Sequence, residues 1–128
     1  MKYALLSLLF LLYTEVSAQT EHNFEQEPQN TDCHQLPEKF DSAANAIELI
    51  SKATHRYTET LKISRYRSPR KLEYYSCDGE LGYVIAYIDD TEVKVFIGIS
   101  ADTWNTLINS DDPINSYQLI EQNHESIN

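Results

Sequence analysis

Glycine, basic residues and cysteine are all scarce in this 128-residue chain, and each scarcity removes a class of function. The three glycines stand at positions 79, 82 and 98, so there is no glycine-rich loop to bring backbone amides up to a phosphate. Ten Lys and Arg face twenty Asp and Glu, a net charge of −10, and such an acidic chain has no general affinity for nucleic acid or an anionic membrane surface. Two cysteines, Cys33 and Cys77, supply no C-x-x-C pair, and no serine sits in a Gly-x-Ser-x-Gly turn. The four histidines, His22, His34, His55 and His124, never stand at metal-ligand spacing, and the adjacent Cys33 and His34 point apart in an extended chain. Asp89-Asp90 and Asp111-Asp112 lack the alternating ligands and glycine of a calcium loop. Acidic residues are too numerous for any catalytic carboxylate pair to stand out. These absences lead us to expect no enzyme activity, no cofactor and no metal.

Long apolar runs are also missing, with one exception. Met1-Lys2 is followed by an apolar stretch from Ala4 to Tyr13 and then by Val16-Ser17-Ala18, the pattern of a secretory signal cut after Ala18. The stretch falls short of the roughly 20 residues that span a bilayer, so no membrane insertion is expected once the signal is removed. The chain beyond Ala18 reads as a secreted or periplasmic protein of one domain. An even cysteine count in an oxidising compartment then predicts a Cys33–Cys77 disulfide. Closing a loop of about 45 residues is worth on the order of 4 kcal/mol, so a structural staple is the main reading, with a reactive pair as its alternative. Residues 19–32 are polar apart from Phe24 and read as a flexible leader.

From residue 33 the pattern is that of a single α+β domain extending to 120. Phe40, Ala43, Ala44, Ile47 and Ile50 recur at spacings of three and four, with Asp41 or Ser42 placed as N-cap, which predicts a helix ending near Ala53 to Arg56. Tyr57 to Ser64 alternates as a short strand with Tyr57, Glu59, Leu61 and Ile63 on one side. Leu72 to Cys77, Tyr83 to Ile88 and Val93 to Ile99 read as further strands, separated by turns at Asp78-Gly79 and Asp89-Asp90. The middle one of these three is apolar on both faces and is expected at the centre of the sheet. Val93, Val95, Ile97 and Ile99 are expected to form the buried face of the last. Ser100 caps a closing helix that carries Trp104, Leu107 and Ile108, stopped by Asp111-Asp112-Pro113. Residues 121–128 are expected to fray. The fold expected is thus an N-terminal helix, a small antiparallel sheet of three to four strands, and a closing C-terminal helix.

Tyr74-Tyr75-Ser76-Cys77-Asp78-Gly79, followed by Gly82-Tyr83-Val84-Ile85, a strand ending at Ile99, and Trp104 with Leu107, resembles the KTSC domain. That small domain is named for its place at the C-terminus of some lysyl-tRNA synthetases. The resemblance spans about residues 59–120 and implies a compact antiparallel sheet with helices; a role in RNA binding has been suggested for such domains. The chain departs from the pattern at Arg67-Ser68-Pro69-Arg70 before the strand, and at Asn109 to Asn115, where a glycine is missing.

Seven basic residues crowd between Lys52 and Lys71. Arg65, Arg67, Arg70 and Lys71, with Tyr66 among them, are the candidate binding residues, because guanidinium and aromatic groups together favour interfaces. The competing reading is that these cations pair with the protein's own acids. The function expected from sequence is an exported binding domain for a protein or surface polymer. RNA binding through the basic segment is the alternative, and a small hydrolase or enzyme inhibitor is a third possibility that would require a pocket.

Overall fold

The computed structural model describes residues 31–128; the signal-like stretch and residues 19–30 of the leader lie outside them. The described residues form five antiparallel strands in spatial order β1 to β5: β1 Tyr57–Lys62, β2 Lys71–Ser76, β3 Leu81–Tyr87, β4 Val93–Ser100 and β5 Ser126–Ile127. Three α-helices accompany them: α1 Ala43–Lys52, α2 Ala101–Ile108 and α3 Pro113–Asn123. The fold is α+β, with one more strand and one more helix than the sequence led us to expect.

The apolar pattern explains how the layers assemble. On one face of the sheet, α1 buries Ala43, Ala46 and Ile50 against Ile85 and Val95. On the other, Trp104 and Leu107 of α2 and Tyr117 and Ile120 of α3 pack on Leu72, Tyr74, Val84, Ala86 and Phe96. β3 sends Val84 and Ala86 to one core and Ile85 to the other, as its two-sided apolar pattern requires. The helices begin where expected: Ser42 Oγ accepts from Asn45 N, and Ser100 Oγ accepts from Thr103 N. Such caps satisfy amides that the first turn leaves unpaired.

Three expectations need correction. β4 does not bury one continuous face: Val95 and Phe96 are both buried, Ile97 is exposed and Ile99 is buried. Tyr83 pairs with Ile97 but Gly82 pairs with Ile99, so Gly98 is an extra residue in the strand, a bulge with φ +76°. The bulge turns Ile99 onto the α2 and α3 face, where the core takes it. A Cβ built on Gly98 meets nothing within 4 Å, so Gly98→Ala tests backbone strain alone. We expect it to cost about 1 to 2 kcal/mol in urea denaturation, with the m-value unchanged.

The tail is the second correction, since residues 121–128 are not frayed. α3 runs to Asn123, Ser126 and Ile127 pair with Phe96 and Val95, and Ala43 N donates to Asn128 O at 3.3 Å. Asp112-Pro113 does more than end α2. Asp112 accepts from Asn115 N and the proline occupies the first turn of α3, a position where its missing N–H costs nothing. Third, Thr31 and Asp32 do not belong to a free leader: Thr54 N donates to Thr31 O at 2.8 Å, and Cys33 N to Thr54 O at 3.2 Å.

Both predicted acidic turns are organised by carboxylates. Asp78 Oδ1 accepts from the amides of Glu80 and Leu81 at 2.8 and 3.0 Å, and Asp89 Oδ1 from Thr91 and Glu92 at 2.8 and 2.7 Å. These backbone amides hold both carboxyls below the usual carboxylate range. A group whose pKa is depressed by folding contributes stability that is complete above its unfolded value and is lost as the pH falls through the folded one. The stability of the wild type should therefore fall through the acid range below about pH 4. The Asp78→Ala/Asp89→Ala variant should show a flatter acid limb in thermal melts.

Candidate functional site

The basic loop predicted from sequence joins β1 to β2, and two of its four candidate cations, Arg70 and Lys71, have close partners in neighbouring elements. Arg70 pairs with Asp90, Arg67 lies 3.9 Å from Asp112, and Lys71 Nζ sits 4.2 Å from the centre of the Tyr87 ring. Arg65 rests over Tyr66 at 5.2 Å, and Tyr66 is 84% exposed. The structure thus leaves Arg65, Tyr66 and Arg67 exposed, while Arg70 and Lys71 brace the loop against a neighbouring turn and strand.

Cys33 and Cys77 form the disulfide, with Cα atoms 5.7 Å apart. Asp32, Cys33, His34 and Cys77 are close enough together to suggest a metal cluster, but both sulfurs are bonded to each other. Asp32 and His34 meet in a hydrogen bond of 2.9 Å, which leaves too few free ligands to hold an ion. His55 donates from Nε2 to Ile50 O at 2.7 Å and lies 5.1 Å from the Tyr75 ring, anchoring the end of α1 to the sheet. None of the described helices is long and apolar enough to cross a membrane.

The groups that do converge lie elsewhere, in a cleft of about 270 Å³ between β1 and α2. Its walls are Tyr57, Thr58 and Glu59 of β1, Tyr74, Gly79, and Ala101, Trp104 and Asn105 of α2. At its centre the buried Trp104 donates from Nε1 to Glu59 Oε2 at 2.9 Å. The indole is fixed in turn by Tyr74, whose ring stacks on it at 5.1 Å with planes 9° apart and whose hydroxyl donates to Ile99 O at 2.9 Å. Glu59 is therefore aimed by a rigid buried donor, and among the described residues its Oε1 takes no hydrogen bond. Tyr57, 52% exposed, closes the cleft beside Gly79. A Cβ on Gly79 would stand 2.5 Å from its ring, and φ there is +81°, so any other residue would displace the ring and strain the turn.

Glu59, Trp104 and Asn105 were not marked as binding residues by the sequence. The signal present was Glu59 itself, an acid on the side of the strand that also carries Tyr57, Leu61 and Ile63. A lone tryptophan on a buried helix face also needs a partner for its N–H. Comparison with protein-family models gives no match, and searches of curated proteins and of solved structures likewise give none.

Proposed function

We propose that this chain is an exported, disulfide-stapled binding domain, and that its ligand site is the β1–α2 cleft. The observation that carries the reading is the Trp104–Glu59 hydrogen bond: a carboxylate held in place by a buried donor, at the wall of a cavity with mixed apolar and polar lining, is a recognition geometry. The lining includes no histidine, no cysteine and no second carboxylate, which supports binding over nucleophilic chemistry in this reading. Export rests on the signal-like N-terminus together with the disulfide. The KTSC resemblance offers RNA as a second ligand class, which Arg65 and the exposed Tyr66 favour.

Trp104 is the chain's one tryptophan, so its indole N–H gives a single, assignable NMR signal. Lysine amide, an N-acetylglucosamine trisaccharide and a short single-stranded RNA would be titrated into the labelled protein in turn. We expect lysine amide to shift Trp104 and Asn105, and Glu59→Gln to weaken that response about tenfold, as loss of a charged hydrogen-bond acceptor does. If none of the three shifts these residues, the cleft is not the site. If RNA alone binds, with affinity falling steeply in salt and lost on changing Arg65 and Tyr66, the second reading replaces the first.

A further inference from the structure

Resting on that reading of the cleft, we propose that the ligand is an extended basic polypeptide segment, which adds as a strand to the free edge of β1 and places a Lys or Arg side chain against Glu59. β1 is the terminal strand of the sheet, and among the described residues only β2 pairs with it. All of Tyr57–Lys62 is exposed except Leu61, which is partly buried. Sheet edges are ordinarily protected by proline, by a bulge, by a covering element or by inward-pointing charge. β1 carries no proline and pairs with β2 in unbroken register from Tyr57 to Lys62; its charges are Glu59, on the cleft side, and Lys62 at its far end, both exposed.

Strand geometry connects that edge to the cleft. Residues directly opposite on adjoining strands have Cβ atoms about 5 Å apart and share a face of the sheet. A partner residue opposite Glu59 would therefore present its side chain on the cleft side, next to the free Oε1, where an opposite charge is favoured. Asn105 also borders a separate shallow depression that is lined by Asp102 and Asp111, so further acids lie near the cleft, in a chain of net charge −10. A flat saccharide finds no comparable platform. Trp104 and Tyr74 are 2% and 3% exposed, and Arg56 already lies over the Tyr57 ring at 5.5 Å.

The test uses the capped peptide Thr-Val-Lys-Val-Thr, the same peptide with glutamate in place of lysine, versions N-methylated on alternate residues in either phase, and lysine amide as a probe of the cleft alone. Affinity is read from Trp104 fluorescence, edge pairing from amide hydrogen exchange, and oligomeric state from sedimentation. The expected result is that the lysine peptide binds more tightly than lysine amide and slows exchange at alternate residues of β1, as main-chain pairing on one side of a strand requires. Glutamate in the peptide, or Glu59→Gln in the protein, should weaken binding about tenfold, and N-methylation in one phase should abolish it. If lysine amide shifts Trp104 but the peptide binds no tighter and leaves β1 exchange unchanged, strand addition is overturned while the cleft reading stands. If the lysine and glutamate peptides protect β1 equally, the requirement for a basic side chain is overturned. If the protein alone sediments as a dimer with β1 already protected, the edge is taken by a second copy and the proposal fails.

Discussion

Replacing Cys33 and Cys77 together by alanine is expected to lower the stability of the domain by about 4 kcal/mol and its melting temperature by roughly 20 °C. The bridge closes a loop of 44 residues in sequence separation, so its loss restores to the unfolded chain the freedom that the cross-link had removed. In the folded state the effect is confined to one place. Cys33 opens a short 3-10 turn, and Cys77 follows the last residue of β2. Without the bridge, the described part of the N-terminal segment is held by its hydrogen bonds to Thr54 and by the contacts of Leu36 and Phe40 with the α1 core. The β1–α2 cleft lies outside that segment, so the variant should bind lysine amide as the wild type does while folded. Urea denaturation of the oxidised wild type, the reduced wild type and the double alanine variant checks the prediction. Reduction and mutation should agree, and a loss below about 1 kcal/mol in both would mean that the unfolded chain is already constrained between these positions.

The sheet was largely legible because its signals are local. Asp78 and Asp89 mark their turns by bonding amides two and three residues ahead, and β3 shows two-sided burial by having no polar face. The bulge was not legible. Alternation in Val93 to Ile99 points to one buried face, and only the pairing of Gly82 with Ile99 shows that Gly98 shifts the pattern. β5 escaped for a different reason: two residues carry no periodicity, and Ser126–Ile127 becomes a strand because α3 delivers it to the open edge of β4. Pro113 was read as a stop although it follows a capping aspartate, a pattern that serves equally to start a helix.

The candidate site was less legible than the fold, because charge density in sequence says little about where charges are spent. Seven cations between Lys52 and Lys71 suggested a patch, yet Arg67 and Arg70 reach acids 45 and 20 positions away, at Asp112 and Asp90. The reverse holds for Glu59, one of twenty acids. Its distinction is a bond to Trp104 across 45 residues, which exists only after β1 joins the edge of the sheet and α2 packs over it. A tertiary contact of that kind leaves in sequence only the oddity of an acid on the apolar side of a strand.

Trp104→Ala should be the most damaging single substitution near the cleft, costing about 3 to 5 kcal/mol. Trp104 is among the largest fully enclosed side chains, and its removal strips Tyr74 of a stacked partner while opening a void between α2 and the sheet. For a domain whose whole stability is about 5 to 15 kcal/mol, that places the variant near the limit of folding. It therefore reports on packing and says little about binding. Trp104→Phe separates the two, since the phenyl ring retains most of the apolar contact and loses the Nε1 donor. Glu59 is an exposed residue and recovers water at Oε2, so the stability cost should be about 1 kcal/mol. The freed carboxylate, however, no longer has one orientation, and affinity for lysine amide should fall several-fold. Glu59→Gln gives the converse: an amide oxygen still accepts from the indole, stability stays within about 0.5 kcal/mol of wild type, and affinity falls through loss of charge. Urea denaturation and calorimetric titration on the three variants read both quantities. Trp104→Phe binding as tightly as the wild type would show that the indole packs the core without aiming Glu59.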